Sequence, residues 1–253
     1  MEVTFLGTGT STGVPLPTCG CAVCRSTDPR DARLRPSVLL RWDGRTVLVD
    51  TSTDLRQQAL RETLARIDAV VYTHAHADHI FGLDDIRMFN WVLGGPMPVY
   101  GSGPTLDALR RTFWYVFEDV EAGGGKPLVA LHAVEAPFEL FGRVVTPVPL
   151  WHGRLPILGY RIGRFAYLTD VSEIPEPSYA LLHDLDVLVL SALRHRPHPT
   201  HFHLARAIEE AVRIGAARTL FTHLAHEISH AAVSRDLPPG IELAYDGLRL
   251  EVA

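Results

Sequence analysis

Thr73-His74-Ala75-His76-Ala77-Asp78-His79 is the stretch on which the rest of the chain is organised. Three imidazoles and one carboxylate lie within seven residues, directly after the β-branched run 67–72, which predicts a buried strand. The first two imidazoles flank an alanine that is too small to block them. Nitrogen and carboxylate ligands suit zinc, manganese or iron better than calcium or magnesium. The stretch therefore predicts a metal site after a strand, rather than polar residues scattered on an exposed loop.

The composition limits the classes of function. The 253 residues are 47% hydrophobic and 21% charged, which is ordinary for a soluble globular protein and fits one large domain or two small ones. A net charge of −5 disfavours a broad nucleic-acid-binding surface. No apolar run approaches the roughly 20 residues of a membrane span, and no signal peptide is visible. We therefore expect a cytoplasmic protein with neither nucleic-acid nor membrane partners.

The three cysteines are confined to one short segment, at Cys19, Cys21 and Cys24. An odd, clustered set is a poor disulfide framework and a good partial zinc site. Three thiolates leave a tetrahedral structural zinc one ligand short, so the fourth ligand must lie elsewhere in the sequence. The alternative is a set of three free or buried thiols.

Further polar residues follow strand-like segments in the way that His74 does. They are Asp50 after 45–49, His152 shortly after 144–148, Asp170 after 165–168 and His223 after 218–222. Strands that bring side chains to one edge of a sheet form a rigid scaffold for a metal site. For Asp50 two readings stay open, a group that orients a ligand imidazole and a cap of the next helix, predicted over 55–66.

Turn signals predict several hairpins. Asp43-Gly44 separates strand-like runs at 37–42 and 45–49, a second hairpin is predicted over 159–170, and a third around Asp246-Gly247. Hairpins interleaved with helical segments favour two sheets with helices outside them.

The spaced ligands resemble those of a known family. The series His74-x-His76-x-Asp78-His79, then His152, Asp170 and His223, is similar to the metal ligands of the metallo-β-lactamase fold hydrolases. Within that superfamily the chain most resembles the PhnP phosphodiesterase group, accessory to carbon–phosphorus lyase. That group also carries a Cys-x-Cys-x-x-Cys cluster, completed by a histidine three residues after the last active-site histidine. The corresponding residues here are Cys19, Cys21, Cys24 and His226.

The resemblance extends over essentially the whole chain and implies a fold and its metals. We expect an α/β (α+β) protein, a four-layer αββα sandwich of two mixed β-sheets flanked by helices. It would be a single domain over 1–253, with a zinc-binding loop at about 17–26. The implied cofactors are two active-site divalent ions, manganese or zinc with iron as a third option, and one structural zinc on the cysteines. The implied active-site ligands are His74, His76 and His152 for one ion, Asp78, His79 and His223 for the other, and Asp170 bridging both.

The resemblance also implies catalytic residues, His201 and Asp78. In the relatives, a histidine before a late helix acts on the phosphodiester, and His201 occupies the corresponding position. His203 stands where the relatives have an acidic residue, and His195 and His198 are nearby. Which of these four imidazoles is the general acid therefore stays open.

The hypothesis that follows is a dinuclear metal-dependent phosphoric diester hydrolase. Its substrate would be a small cyclic or nucleotide-like phosphodiester, such as a phosphoribosyl cyclic phosphate, attacked by a metal-bound hydroxide between ions about 3.5–4 Å apart. The alternatives are a metal-dependent acyl hydrolase acting on a lactone or thioester, an RNA 3′-processing nuclease, and a non-enzymic sensing domain. The negative charge disfavours the nuclease. A homodimer is a further expectation.

Overall fold

The computed structural model describes residues 1–118 and 125–253, in which β-strands alternate with short helices. The strands are β1 (Glu2–Gly7), β2 (Ser37–Trp42), β3 (Arg45–Val49), β4 (Ala69–Val71), β5 (Met97–Gly101), β6 (Val129–Ala133), β7 (Phe138–Leu140), β8 (Arg143–His152), β9 (Leu155–Ile162), β10 (Phe165–Leu168), β11 (Val187–Ser191), β12 (Arg218–Thr222), β13 (Ile241–Leu243) and β14 (Arg249–Glu251). The helices are α1 (Leu55–Arg61), α2 (Ala77–Ile80), α3 (Arg87–Leu93), α4 (Gly103–Thr112), α5 (Trp114–Phe117), α6 (Glu176–Tyr179), α7 (Leu204–Ile214) and α8 (His230–Ser234), with 3₁₀ turns at Pro29–Asp31 and Phe81–Ile86.

The strands form two seven-stranded sheets. Their orders are β14-β1-β2-β3-β4-β5-β6 and β13-β12-β11-β10-β9-β8-β7. Each sheet has an antiparallel part and a parallel part, since β3, β4, β5 and β6 are mutually parallel in the first sheet and β10 to β13 in the second. The prediction of two mixed sheets is confirmed.

Three buried apolar layers hold the sheets and helices together. Because successive side chains of a strand point to opposite faces, Val49 of β3 and Tyr167 of β10 lie between the two sheets. Leu48 faces the other way and packs under α1 and α4, while Leu168 packs in the layer that α7 covers. Helices therefore lie outside both sheets, which confirms the predicted αββα arrangement.

Two of the three predicted hairpins are confirmed. The strands on either side of Asp43-Gly44 pair antiparallel, and β9 pairs with β10 in the same way. The C-terminal hairpin is wrong, because β13 pairs with β12 in the second sheet and β14 with β1 in the first. The Asp246 carboxylate accepts hydrogen bonds from the N–H groups of Thr8 at 2.9 Å and Leu34 at 2.8 Å. These contacts fix the segment as a crossover between sheets.

Short helices replace some longer predicted ones. The helix predicted over 55–66 ends at Arg61. The segment after His79 continues as a 3₁₀ turn before α3 begins. In the described part of the chain, no helix combines the length and apolar character needed to cross a bilayer.

Candidate metal centre

The candidate site lies where strands of both sheets end. Asp50 directly follows β3, and His223 directly follows β12. Asp170 comes two residues after β10, β4 leads to His74 three residues later, and β8 ends on His152. Parallel strands have their carboxyl ends at the same edge, so β3 and β4 bring their residues together, as do β10 and β12. A hydrogen bond from the Leu158 N–H to the Thr73 carbonyl, at 3.1 Å, joins the two sheets beside the site.

Three of these residues have a left-handed backbone. The φ angles are +64° at Asp50, +58° at Asp170 and +57° at His223. Residues other than glycine adopt this conformation at a cost of about 1–2 kcal/mol, and such strain is concentrated at functional sites. The left-handed turns are what allow the chain to leave each strand abruptly while its side chain stays at the sheet edge.

A first group of side chains comprises His74, His76, His152 and Asp170. One nitrogen or oxygen atom from each lies within 4.8 Å of the corresponding atoms of the others. Nε2 of His74 is 3.1 Å from Nδ1 of His76 and 3.6 Å from Oδ2 of Asp170. The ring of His152 lies 4.9 Å from that of His76.

A second group comprises Asp78, His79, Asp170 and His223, again with ligand atoms within 4.8 Å of one another. Nε2 of His79 is 3.3 Å from Oδ2 of Asp170, and Nε2 of His223 is 3.2 Å from Oδ1. Asp170 is thus shared by both groups, with one oxygen toward each of these imidazoles. The structure therefore brings together all seven residues that the family resemblance implied as ligands of the active-site ions.

The donor chemistry of these groups fits divalent cations. All of their members are buried except His76. Among the described residues, Nε2 of His79 and both ring nitrogens of His223 have no hydrogen-bond partner. Burial opposes the ionisation of Asp170, yet the imidazoles of His223 and His79 outweigh it and hold the pKa of this carboxyl well below its usual range. An ionised carboxylate among unpartnered imidazole nitrogens is the environment that a bound cation would complete.

The charge on His79 also fits a cation site. Burial lowers the pKa of His79, but Asp170, Asp50 and Asp78 together raise it well above the ordinary value. The surrounding carboxylates therefore favour positive charge at this position. A metal ion that took up Nε2 would displace that proton.

Asp50 orients one of these imidazoles. Its Oδ2 accepts a hydrogen bond from Nδ1 of His79 at 2.7 Å, and its carboxylate accepts two more from the N–H and hydroxyl of Thr73, both at 2.8 Å. Of the two predictions for Asp50, this contact with His79 favours the orienting role, and it is Asp54 that precedes α1. Because Nδ1 of His79 donates to Asp50, Nε2 is left facing the cluster.

We expect Asp50→Asn to weaken binding of active-site metal by about 10–100-fold, the usual cost of losing a partner that orients a ligand. Asparagine tolerates the left-handed backbone, but its NH₂ group cannot accept the hydrogen bonds that the carboxylate accepts now. Competition with a chelator measures the affinity. Asp54→Asn is the matched control, since the Asp54 carboxylate pairs with Arg35. Equal affinities in both variants would exclude an orienting role.

The structure distinguishes the four histidines of the loop before α7 by their distance from the candidate ligands. The ring of His201 lies 4.5 Å from that of His152 and stacks on His223 at 4.9 Å. His198 lies behind it, 5.1 Å from His201. His203 occupies the N-cap position of α7, and His195 is exposed. Of the four imidazoles, His201 is therefore the one in direct contact with both ligand groups.

The same loop also orients His152, which sequence reasoning missed. Nδ1 of His152 donates to the Thr200 carbonyl at 2.6 Å, so its Nε2 is directed to the first group. A backbone carbonyl carries no signal in the sequence of side chains. Only the proximity of Thr200 to His201 could have indicated it.

The cysteines meet a distant histidine. Sγ of Cys19 and Sγ of Cys21 are each 3.4 Å from Nδ1 of His226, and all four ligand atoms including that of Cys24 lie within 4.8 Å of one another. The backbone N–H of Cys24 donates to the Cys21 sulfur, and with His226 it lowers the pKa of the Cys21 thiol to about 6. Three sulfurs and one imidazole nitrogen are a donor set that suits tetrahedral zinc.

We expect Cys21→Ser to remove one zinc per chain and to lower Tm by at least about 5 °C, since about 1 kcal/mol of lost stability lowers Tm by roughly 2–4 °C in a chain of this size. Elemental analysis and a thermal melt measure the two effects. Ala22→Ser is the control, because it introduces the same hydroxyl in the same loop and removes no thiolate. Lost activity with unchanged zinc and Tm would instead indicate a reactive thiol.

A buried arginine holds the segment between the two sites, and no motif in the sequence indicated this role. The Arg33 guanidinium, with no exposed surface, donates to the carbonyls of Ala225 at 3.2 Å and Ile228 at 2.8 Å. It also pairs with Asp31 at 3.2 Å. Ala225 lies between His223 and His226. Arg33 therefore holds the segment that carries one residue of each site.

Comparison with known proteins identifies the family and the fold of this chain. The family model "Beta-lactamase superfamily domain" matches residues 45–224. A solved structure described as a new diphosphatase from the PhnP family superposes with a TM-score of 0.94 and 48% identity, covering 100% of this chain and 98% of that one. Zn²⁺-bound PqqB from Methylobacterium extorquens, with a TM-score of 0.81 and 22% identity over 100% of both chains, shares the fold.

One curated relative is named for acyl transfer and not for hydrolysis at phosphorus. An octanoyltransferase of Porphyromonas gingivalis is 41% identical over 256 residues, which is 98% of this chain and 51% of that protein. The chain thus spans about half the length of this relative, and the name does not say which half carries the activity. A ribonuclease Z of Mycobacterium marinum is 34% identical over 123 residues, 45% of this chain and 38% of that protein.

Proposed function

Because the chain belongs to the β-lactamase superfamily and has its metallo-hydrolase fold, we propose that it is a metal-dependent phosphoric diester hydrolase. Its substrate is a small cyclic or nucleotide-like phosphodiester. The observation that carries the proposal is the pair of His/Asp groups that share Asp170, with His201 against both. The 48% identity to a PhnP-family diphosphatase supports chemistry at phosphorus.

The proposed ligands follow the two groups. One divalent ion would be held by His74, His76 and His152 and the other by Asp78, His79 and His223, with Asp170 contacting both. Manganese or zinc is proposed here, with iron as a third option, and zinc on the cysteines. When bound, such a pair neutralises the charge of the phosphoryl oxygens and makes a water acidic enough to attack near neutral pH.

His201 is proposed to act at the leaving-group oxygen. Burial and the neighbouring His223 lower the pKa of His201 to about 3, so its imidazole is neutral at pH 7 before substrate binds. A phosphodiester anion beside the ring favours the protonated form and raises that pKa. His201 would take up a proton from solvent as the substrate binds and donate it to the leaving oxygen as the phosphorus–oxygen bond breaks, which an alkoxide leaving group requires.

Two further hydrogen bonds hold imidazole rings of the site in place. The hydrogen bond from Nδ1 of His152 to Thr200 and that from Nδ1 of His79 to Asp50 set the orientation of both rings. The imidazoles therefore need little rearrangement when the substrate arrives. Asp78 is buried beside His79 and His223, and its Oδ2 is 3.4 Å from Nε2 of His79. We propose that it is a ligand in this group and, through the ion it would hold, takes a direct part in catalysis.

Two alternatives have an observation each in their favour. Acyl hydrolysis is favoured by the relative named octanoyltransferase, although the chain spans only about half of that protein. RNA 3′-end processing is favoured by the relatives named ribonuclease Z, of which the cited match covers 45% of this chain. The net charge of −5 counts against a long polyanionic substrate.

A substrate panel tests the proposal. Protein reconstituted separately with manganese, zinc and iron is assayed against bis-p-nitrophenyl phosphate, 2′,3′-cyclic nucleotides, cyclic ribosyl phosphates, lactones, thioesters and a precursor tRNA. We expect the highest kcat/KM for a small phosphodiester. A kcat/KM that is higher for a lactone, a thioester or the tRNA would refute the proposal and select the corresponding alternative.

A further inference from the structure

An apolar cavity of about 440 Å³ lies beside segments that carry candidate ligands. One side is formed by the hairpin of β8 and β9, and the other by the start of α4. The residues that the argument uses are Pro149, Trp151, Pro156 and Leu158 from the hairpin and Ser102 and Pro104 from the α4 side. A cavity of this size is in the range that small organic ligands occupy.

The cavity offers few partners for a polar ligand. Within the described chain, no charged side chain lines it, and Ser102 supplies its one side-chain hydroxyl. That hydroxyl is 2.9 Å from the hydroxyl of Thr105 and accepts a hydrogen bond from the Thr105 N–H, as the cap of α4. A sugar or a second phosphate placed there would lose hydrogen bonds to water without replacement, which is unfavourable.

Backbone contacts connect the cavity to the candidate ligands. Trp151 directly precedes His152, and the Leu158 N–H donates to the carbonyl of Thr73, the residue before His74. The N–H of Trp151 donates to the Glu173 carbonyl at 3.0 Å, on the segment that follows Asp170. Three segments that carry candidate metal ligands therefore border the cavity.

We propose that this cavity binds an apolar organic group of the substrate, aromatic or aliphatic, attached to the diester whose phosphate lies at the metal centre. The inference rests on the proposed function and narrows its substrate class. Trp151, 37% exposed, presents an aromatic surface to that group. Ribosyl groups, which carry several hydroxyls, are disfavoured as occupants.

The kinetic test compares benzyl p-nitrophenyl phosphate with methyl p-nitrophenyl phosphate. We expect the metal-loaded enzyme to prefer the benzyl ester in kcat/KM by roughly 10–100-fold, the discrimination that apolar pockets supply. Trp151→Ala should lose most of this preference, because its kcat/KM should fall further for the benzyl ester than for the methyl ester. Trp91→Ala, at a tryptophan that is 78% exposed on α3, should keep the preference. A hexyl ester distinguishes an aliphatic from an aromatic occupant.

A second variant changes the wall of the cavity that the start of α4 forms. Pro104→Phe should fill part of the cavity from the exposed start of α4 and should also lower the preference for the benzyl ester. This variant keeps the inference testable if Trp151→Ala is unstable. Equal kcat/KM for the two esters in the unaltered enzyme, or a preference that survives both substitutions, would overturn the assignment of the cavity.

Calorimetry separates failure of the cavity from failure of the proposed function. Benzylphosphonate and methylphosphonate are titrated into the same proteins, so that no turnover is required. Tighter binding of benzylphosphonate that is lost in Trp151→Ala supports the cavity even if neither diester is hydrolysed, a result that would refute the diesterase proposal alone. Hydrolysis of both diesters without any preference in binding would refute the cavity alone.

Discussion

Asp170→Asn should deplete both active-site ions and reduce phosphodiester hydrolysis by more than about 10²-fold, since even partners one step removed from a metal contribute about 10–100-fold. The reason is the shared position of this carboxylate. Its oxygens are 3.6 Å from Nε2 of His74, 3.3 Å from that of His79 and 3.2 Å from that of His223. Asparagine keeps the shape and tolerates the φ of +58°, but it removes the charge on which both groups depend.

Elemental analysis of the purified variant measures the depletion, and the zinc on the cysteines should stay. Asp186→Asn is the matched control, because Asp186 begins the segment into β11 and pairs with Arg164 instead. Its metal content and its turnover should equal those of the unaltered enzyme. An Asp170→Asn variant that retains both ions and full turnover would show that Asp170 does not bridge them.

His201→Ala should lower turnover on alkyl phosphodiesters by roughly 10²–10⁴-fold, the usual contribution of a general acid, with the metal content intact. The ring lies against His152 and His223, within reach of a diester held there. On a p-nitrophenyl diester the loss should be smaller, because that leaving group departs without a proton. Parallel kcat measurements on the two ester types give the ratio that decides the role.

His203→Ala and His195→Ala are the controls for this prediction, since these residues lie at the start of α7 and on the exposed part of the loop. Both should change turnover little. Equal losses on alkyl and aryl esters in His201→Ala would assign the imidazole to phosphate binding instead of proton donation. A larger effect at His198 would move the role to that residue, and loss of metal would make His201 a ligand.

The sequence predicts the part of the fold that depends on local pattern. Segments such as 45–49 and 165–168 form strands that are buried on both faces. A strand of this kind is recognised in the sequence as a continuous run of apolar residues. The turn Asp43-Gly44 is also local, and its hairpin is confirmed. Family resemblance supplied the αββα arrangement of two mixed sheets, and the order of the strands within each sheet comes from the structure alone.

The features that sequence reasoning missed all depend on contacts between distant segments. The apparent hairpin at Asp246-Gly247 is a crossover because Asp246 bonds to Thr8 and Leu34, more than 200 residues earlier in the chain. Arg33 acts through two backbone carbonyls, and His152 is oriented by a third. Carbonyl groups are the same at every position, so their partners cannot be identified before the fold is known.

The left-handed residues at the strand ends lower the stability of the fold while they supply side chains to the candidate metal centre. Each of Asp50, Asp170 and His223 holds a conformation that glycine would adopt without the cost of about 1–2 kcal/mol. Glycine at any of them would relieve that strain and would remove a group that the centre uses. A population of variants screened for heat resistance alone should therefore lose the site before the sandwich.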